Sequence, residues 1–166
     1  MVDGVALMDV TMNDPRIELA QLSSIPLISI GHPMNEINVP CIDTDFIEMG
    51  EMIMQTLCRN GHSRILFAGG KEIDYERNGG ANYLIRLRTS MHDAAARYKI
   101  HIDEEFTDED DFDAAENLLE RFISSENTAI VTQGGPLFLN NLVAATRQRG
   151  MKIPQDLSQI SAGTYT

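Results

Sequence analysis

With 166 residues, 43% of them hydrophobic and 23% charged, the chain has the makeup of one ordinary globular domain or of two small lobes. A net charge of −12 repels a phosphate backbone, so any DNA contact requires a basic segment that these residues lack. No apolar run approaches the roughly 18 residues that cross a bilayer, and no basic stretch leads into an apolar one at the start, so the expected compartment is the cytoplasm.

Residues 4–10 read as a short buried strand. Asn13-Asp14-Pro15 is a helix opening, a capping side chain followed by proline in the first turn, and predicts a helix over 15–23. A second strand, 26–31, ends at Gly31 and gives way to a loop rich in proline and asparagine. Phe46, Gly50, Ile53, Met54 and Leu57 recur at helical spacing until Asn60-Gly61 stops the helix. Residues 64–70 are almost continuously apolar, the pattern of a strand covered on both faces.

A long helix is predicted over 77–98, with Leu84, Leu87, Met91, Ala94, Ala95 and Tyr98 on one side. It places Gly79 and Gly80 in the first turn, at a cost of about 1 kcal/mol each relative to alanine. The acidic stretch 103–113 lacks the glycine and the Asp-x-Asp order of a calcium loop, and reads as a solvated linker leading into a helix. That helix carries Ala115, Leu118, Leu119 and Phe122; a strand over 128–133, a helix over 136–149 and a last strand near 157–163 follow. Five strands alternating with helices imply parallel sheets joined by right-handed crossovers. The turn at Gly61-His62 divides the chain into residues 1–62 and 63–166.

Catalytic signatures are missing. His32, His62, His92 and His101 share no metal-ligand spacing, and Cys41 and Cys58 form no ligand pair and read as reduced thiols. There is no nucleophile elbow and no phosphate-binding lysine loop; Gly69-Gly70 follows a strand, but the acidic and bulky residues after it spoil a phosphate cradle. No metal, no cofactor and no enzyme activity are therefore expected. Position is the remaining guide, because parallel sheets bind ligands at the carboxyl ends of their strands. Those ends hold Asp9 with Thr11, Gly31-His32, Gly69-Gly70, Gln133-Gly134-Gly135 and Gly163-Thr164.

Several ordered segments resemble the lactose-repressor family of bacterial transcription regulators. They are Val2-Asp3-Gly4-Val5, Asp14-Pro15-Arg16 followed by Ile25-Pro26 and Gly31, Leu57 with Gly61-His62 and Ile65, Arg77 with Gly80, and Arg149-Gly150 with Ile153-Pro154, Asp156 and Leu157-Ser158. The resemblance implies a type I periplasmic-binding-protein-like α/β fold: two Rossmann-like lobes of parallel sheet flanked by helices, the first truncated. Residues 1–62 would be part of the N-terminal lobe and 63–166 the C-terminal lobe of a ligand-sensing domain. It implies allosteric regulation by a small-molecule effector, a sugar or related metabolite, in a homodimer that reaches operator DNA only through a domain outside this chain.

On this resemblance the effector-contacting residues are Asp9, His32, Arg77, Gln133 and Gly135, with Arg77 in the place of the family's effector-binding arginine. Gly135-Pro136 stand where the family carries Asn-Asp, and Gly163 stands near where it carries an aspartate, which removes the usual readers of sugar hydroxyls. A truncated first lobe would expose apolar surface, so self-association is expected. A solute-binding protein of a transporter shares the fold, and a Rossmann-like enzyme is a more distant alternative.

Overall fold

The computed structural model describes residues 2–33, 39–76 and 80–163. Two parallel sheets organise them. The first has the order β1-β2-β3, from Val5–Leu7, Leu27–Ile30 and Cys41–Ile42, with α1 (Pro15–Gln21) between its first two strands in sequence. The second is formed by β4 (Arg64–Gly69), β5 (His101–Phe106), β6 (Ala129–Thr132) and β7 (Ser158–Ser161), in the order β5-β4-β6-β7. Its helices are α2 (Phe46–Arg59), α3 (Asn82–Tyr98), α4 (Phe112–Ile123) and α5 (Pro136–Gln148).

Alternation along β4 explains the second sheet's core. Ile65 and Phe67 point to one face and meet Met54 and Leu57 of α2 and Leu87 and Met91 of α3. Leu66 and Ala68 point to the other and meet Leu118 and Leu119 of α4 and Leu142 of α5. All four β4 side chains are at most 3% exposed, as the continuous apolar run predicts. Asp45 caps α2 through the amides of Ile47 and Glu48, and Asp111 caps α4 through that of Ala114. Helices α2 and α3 cross closely at Gly50, where an added Cβ would lie 2.8 Å from that of Ser90.

Three expectations are corrected. Seven strands are described, not five. The added β5 overlaps the start of the stretch read as an acidic linker: Ile102 and Phe106 pack into the core, while Arg64, Arg88 and Arg121 pair with Asp103, Glu104 and Glu105. The other addition, β3, is two residues long and too short to show a period. The long helix begins at Asn82, after a 3-10 turn at Glu72–Tyr75, and Gly80 lies outside it. A Cβ on Gly80 would lie 2.4 Å from the carbonyl of Glu76, so glycine is needed there for close backbone approach and not tolerated in a helix. Helix α2, which precedes residue 62, is buried in the core of the second sheet.

Among the described residues the first sheet has no comparable cover. Ser29 is fully buried, but Ile30 is 46% and Ile42 63% exposed, and Leu19 and Leu22 of the α1 region stand open to solvent.

A candidate ligand site at the carboxyl ends of the two sheets

Contacts across the molecule bring the carboxyl ends of the sheets to one region beside the start of α3. Thr11, beyond β1, forms an antiparallel bridge with Ala81, the residue that precedes α3. Asp43, beyond β3, pairs with Arg86 of α3 at 2.9 Å.

On the first sheet the loop after β1 is held from below. Asp9 is exposed and in the left-handed region, φ 53°. Its carbonyl accepts from the Arg16 guanidinium at 2.9 Å, and the Met8 carbonyl does so at 3.2 Å. Arg16 is itself fixed by Asp14, with Nε to Oδ1 at 2.8 Å. Asp14 is 6% exposed, and the Arg16 hydrogen bond pulls its carboxyl down to about 2, against the opposing effect of burial. From sequence Asp14 is a helix cap, which it also is in the fold, through the Arg16 amide at 3.0 Å. The buttress under Asp9 was not legible, because nothing in the sequence says which carbonyls an arginine will reach.

His32 is exposed. Its amide donates to Asp43 Oδ2 at 3.0 Å, and its ring Nδ1 lies 2.6 Å from the Pro33 carbonyl, a distance that calls for a proton on Nδ1.

On the second sheet, Gln133 is 7% exposed, and its Oε1 accepts from the Tyr75 hydroxyl at 2.8 Å. Tyr75 is buried too, and its ring packs against Phe67 and Phe106 with centroids 6.0 and 5.0 Å away. Burial raises the phenol far above its ordinary range, so the hydroxyl stays protonated and donates. A Cβ on Gly69 would lie 2.8 Å from the Phe106 ring and 2.9 Å from the Tyr75 hydroxyl. Gly69 therefore makes room for this aromatic cluster, in place of the phosphate approach considered from sequence. Arg88 lies over the Phe106 ring at 5.3 Å and grips Glu104 with two hydrogen bonds of 2.7 and 2.5 Å, while His92 adds a third at 2.9 Å. Burial disfavours the Glu104 carboxylate, but Arg88 and His92 hold its pKa below the ordinary value.

Gly135 precedes α5 with extended backbone, and a Cβ added there would meet no described atom within 4 Å, so the position has room for a larger residue. Arg77 lies outside the described residues. The candidate set is thus divided. Asp9, His32 and Gly135 are exposed at strand ends, and Gln133 is occupied internally by Tyr75. Tyr75, Asp43 and Arg86 were missed, because tyrosine in an acidic turn and a single aspartate between a strand and a helix carry no local signature.

Two parallel sheets with helices around them and strand ends gathered at a shared region define a ligand-binding α/β class. The chain belongs to the family of periplasmic binding proteins and the sugar binding domain of the LacI family, whose sequence pattern matches residues 1–163. It is similar to the catabolite control protein A of Staphylococcus xylosus, 22% identical over 96% of this chain and 47% of that protein. It is also similar to the HTH-type transcriptional regulator AglR of Rhizobium meliloti, 29% identical over 96% of this chain and 44% of that one. The chain thus spans about half the length of the curated relatives it matches. Among solved structures, a LacI family transcriptional regulator from Bifidobacterium animalis superposes with a TM-score of 0.80 at 21% identity, covering 96% of this chain and 57% of that one. The periplasmic-binding-protein-like fold expected from the motifs is confirmed, and these relatives are transcriptional regulators. Among the described residues no helix is long and apolar enough to cross a membrane.

Proposed function

We propose that this chain is the ligand-sensing part of a cytoplasmic, dimeric, DNA-binding transcription regulator, that it acts by allostery and not catalysis, and that its operator is read by residues outside this chain. The observation that carries the reading is the family match over 1–163 on a chain whose two sheets gather their carboxyl ends around the start of α3. A charge of −12 supports the division of labour, since this surface repels DNA.

The effector is a small polar molecule, with a sugar or related metabolite as the first class to try. Asp9, His32 and Gly135 offer exposed groups at the rim, and Arg77 is assigned the arginine role from the resemblance. Gln133 acts beneath the site through Tyr75, since its carbonyl is already engaged. Titration calorimetry against mono- and disaccharides, sugar phosphates and nucleobases is the test. Saturable heat with one class, abolished by Arg77→Ala, supports the reading. No heat with any class, or heat that survives Arg77→Ala unchanged, removes the site assignment.

A further inference from the structure

One carboxylate joins three parts of the molecule that are separate in the chain. Asp43 sits on the segment that passes from β3, in the first sheet, to α2, in the core of the second. Its Oδ2 accepts from the His32 amide at the end of β2, at 3.0 Å, and from Arg86 Nη1 on α3, at 2.9 Å. Its Oδ1 accepts from the Thr44 amide at 2.8 Å. The two charged side chains are only 17% and 18% exposed, so their pairing is less screened than a surface pair's. The Thr11–Ala81 bridge links the same first sheet to the beginning of the same helix.

The helix offers a rigid reference for this tie. Leu87 and Met91 of α3 are buried at 0% and 1% exposure against the second sheet, and Ser90 Oγ donates to the Ile47 carbonyl of α2 at 2.6 Å. Arg86 is therefore mounted on an element anchored to the second sheet and to α2. Any change in its distance to Asp43 is a change in where the first sheet stands. The first sheet brings little burial of its own to resist such a shift, because its strands are mostly half-exposed.

We propose that Asp43 is a positioning residue, which through Arg86 and the His32 amide sets the spacing between the carboxyl ends of the two sheets. The inference rests on the ligand-sensing reading only for its purpose: spacing of these ends decides the width of the place assigned to the effector. The mechanical statement is independent of any effector.

Hydrogen exchange followed by mass spectrometry, on the whole chain without ligand, tests it. Arg86→Gln and Asp43→Asn each keep polar groups in place but remove the ion pair. Each is expected to speed exchange in peptides covering 9–13 and 80–83 by about tenfold, the weight of one charge-assisted hydrogen bond. Exchange in β4 and β6 is expected to stay at the wild-type rate. Arg86→Lys keeps the charge and is expected to retain most of the protection. Unchanged exchange at 9–13 in both neutral variants overturns the proposal, as does equal loss in Arg86→Lys, which would assign the effect to packing. Faster exchange throughout β4 and β6 also overturns it, because the pair would then support global stability and not spacing. Since no ligand is present, failure here leaves the effector titration standing, and an empty titration leaves this result standing.

Discussion

At the scale of residues, three of the described arginines hold loops and a strand edge in place. Arg16 fixes the turn after β1, Arg86 fixes the crossing segment, and Arg88 neutralises the edge strand β5. Asp14 is the residue whose contribution depends most clearly on pH. Its folded pKa lies below the unfolded value of 3.8, at about 2, so the stabilisation is present above pH 4 and disappears as pH falls from 4 towards 2. A shift of that size is worth about 2 kcal/mol for a side chain this buried. Urea denaturation of Asp14→Asn should therefore show a protein less stable at pH 6 by about that amount, with a flatter loss between pH 4 and pH 2.5 than the wild type. An equally steep loss in the variant would move the acid sensitivity to other carboxylates.

At the scale of elements, the close crossing of α2 and α3 makes a prediction that runs against helix propensity. Replacing Gly50 with alanine gains up to about 1 kcal/mol of propensity, but puts a methyl 2.8 Å from the Ser90 side chain. Overpacking of this kind costs about 1–3 kcal/mol, so Gly50→Ala should lower the denaturation midpoint; a raised midpoint would mean that the helices separate freely.

The same scale shows what sequence can and cannot reveal. Elements with a sustained period were legible: β4 by its apolar run, and α2 and α4 by their stripes. The edge strand β5 was not, because half its residues are acids and the arginines that neutralise them come from β4, α3 and α4. The start of α3 was misplaced because the demand for glycine at Gly80 comes from carbonyls of the preceding turn, not from the helix. For the site, strand-end position singled out Gln133, whose carbonyl the structure engages internally. The Tyr75 hydroxyl that occupies it lies 58 residues away in sequence and could not be inferred.

At the scale of the whole molecule, the two sheets are unequal. The second has both faces covered; the first leaves Ile30, Ile42, Leu19 and Leu22 in water. Apolar surface gathered in one part of a molecule associates at rising concentration. Sedimentation velocity on this chain should show a concentration-dependent increase in mass, reduced by Ile42→Glu and Leu22→Glu together. A monomer at every concentration would show that the net charge of −12 is enough to keep copies apart.

The inequality of the sheets also has a consequence in time. A ribosome adds about 5–20 residues per second, so strands β1 to β3, made by Ile42, wait on the order of ten seconds for β6 and β7 to be made. During that interval α3, which supplies both Arg86 and the Ala81 bridge, is the element that decides whether the early strands find their place. Strands β1 to β3 are made before the helix that ties them to the second sheet, so their correct placement should depend on translation speed and on chaperone supply as well as on the stability of the finished fold.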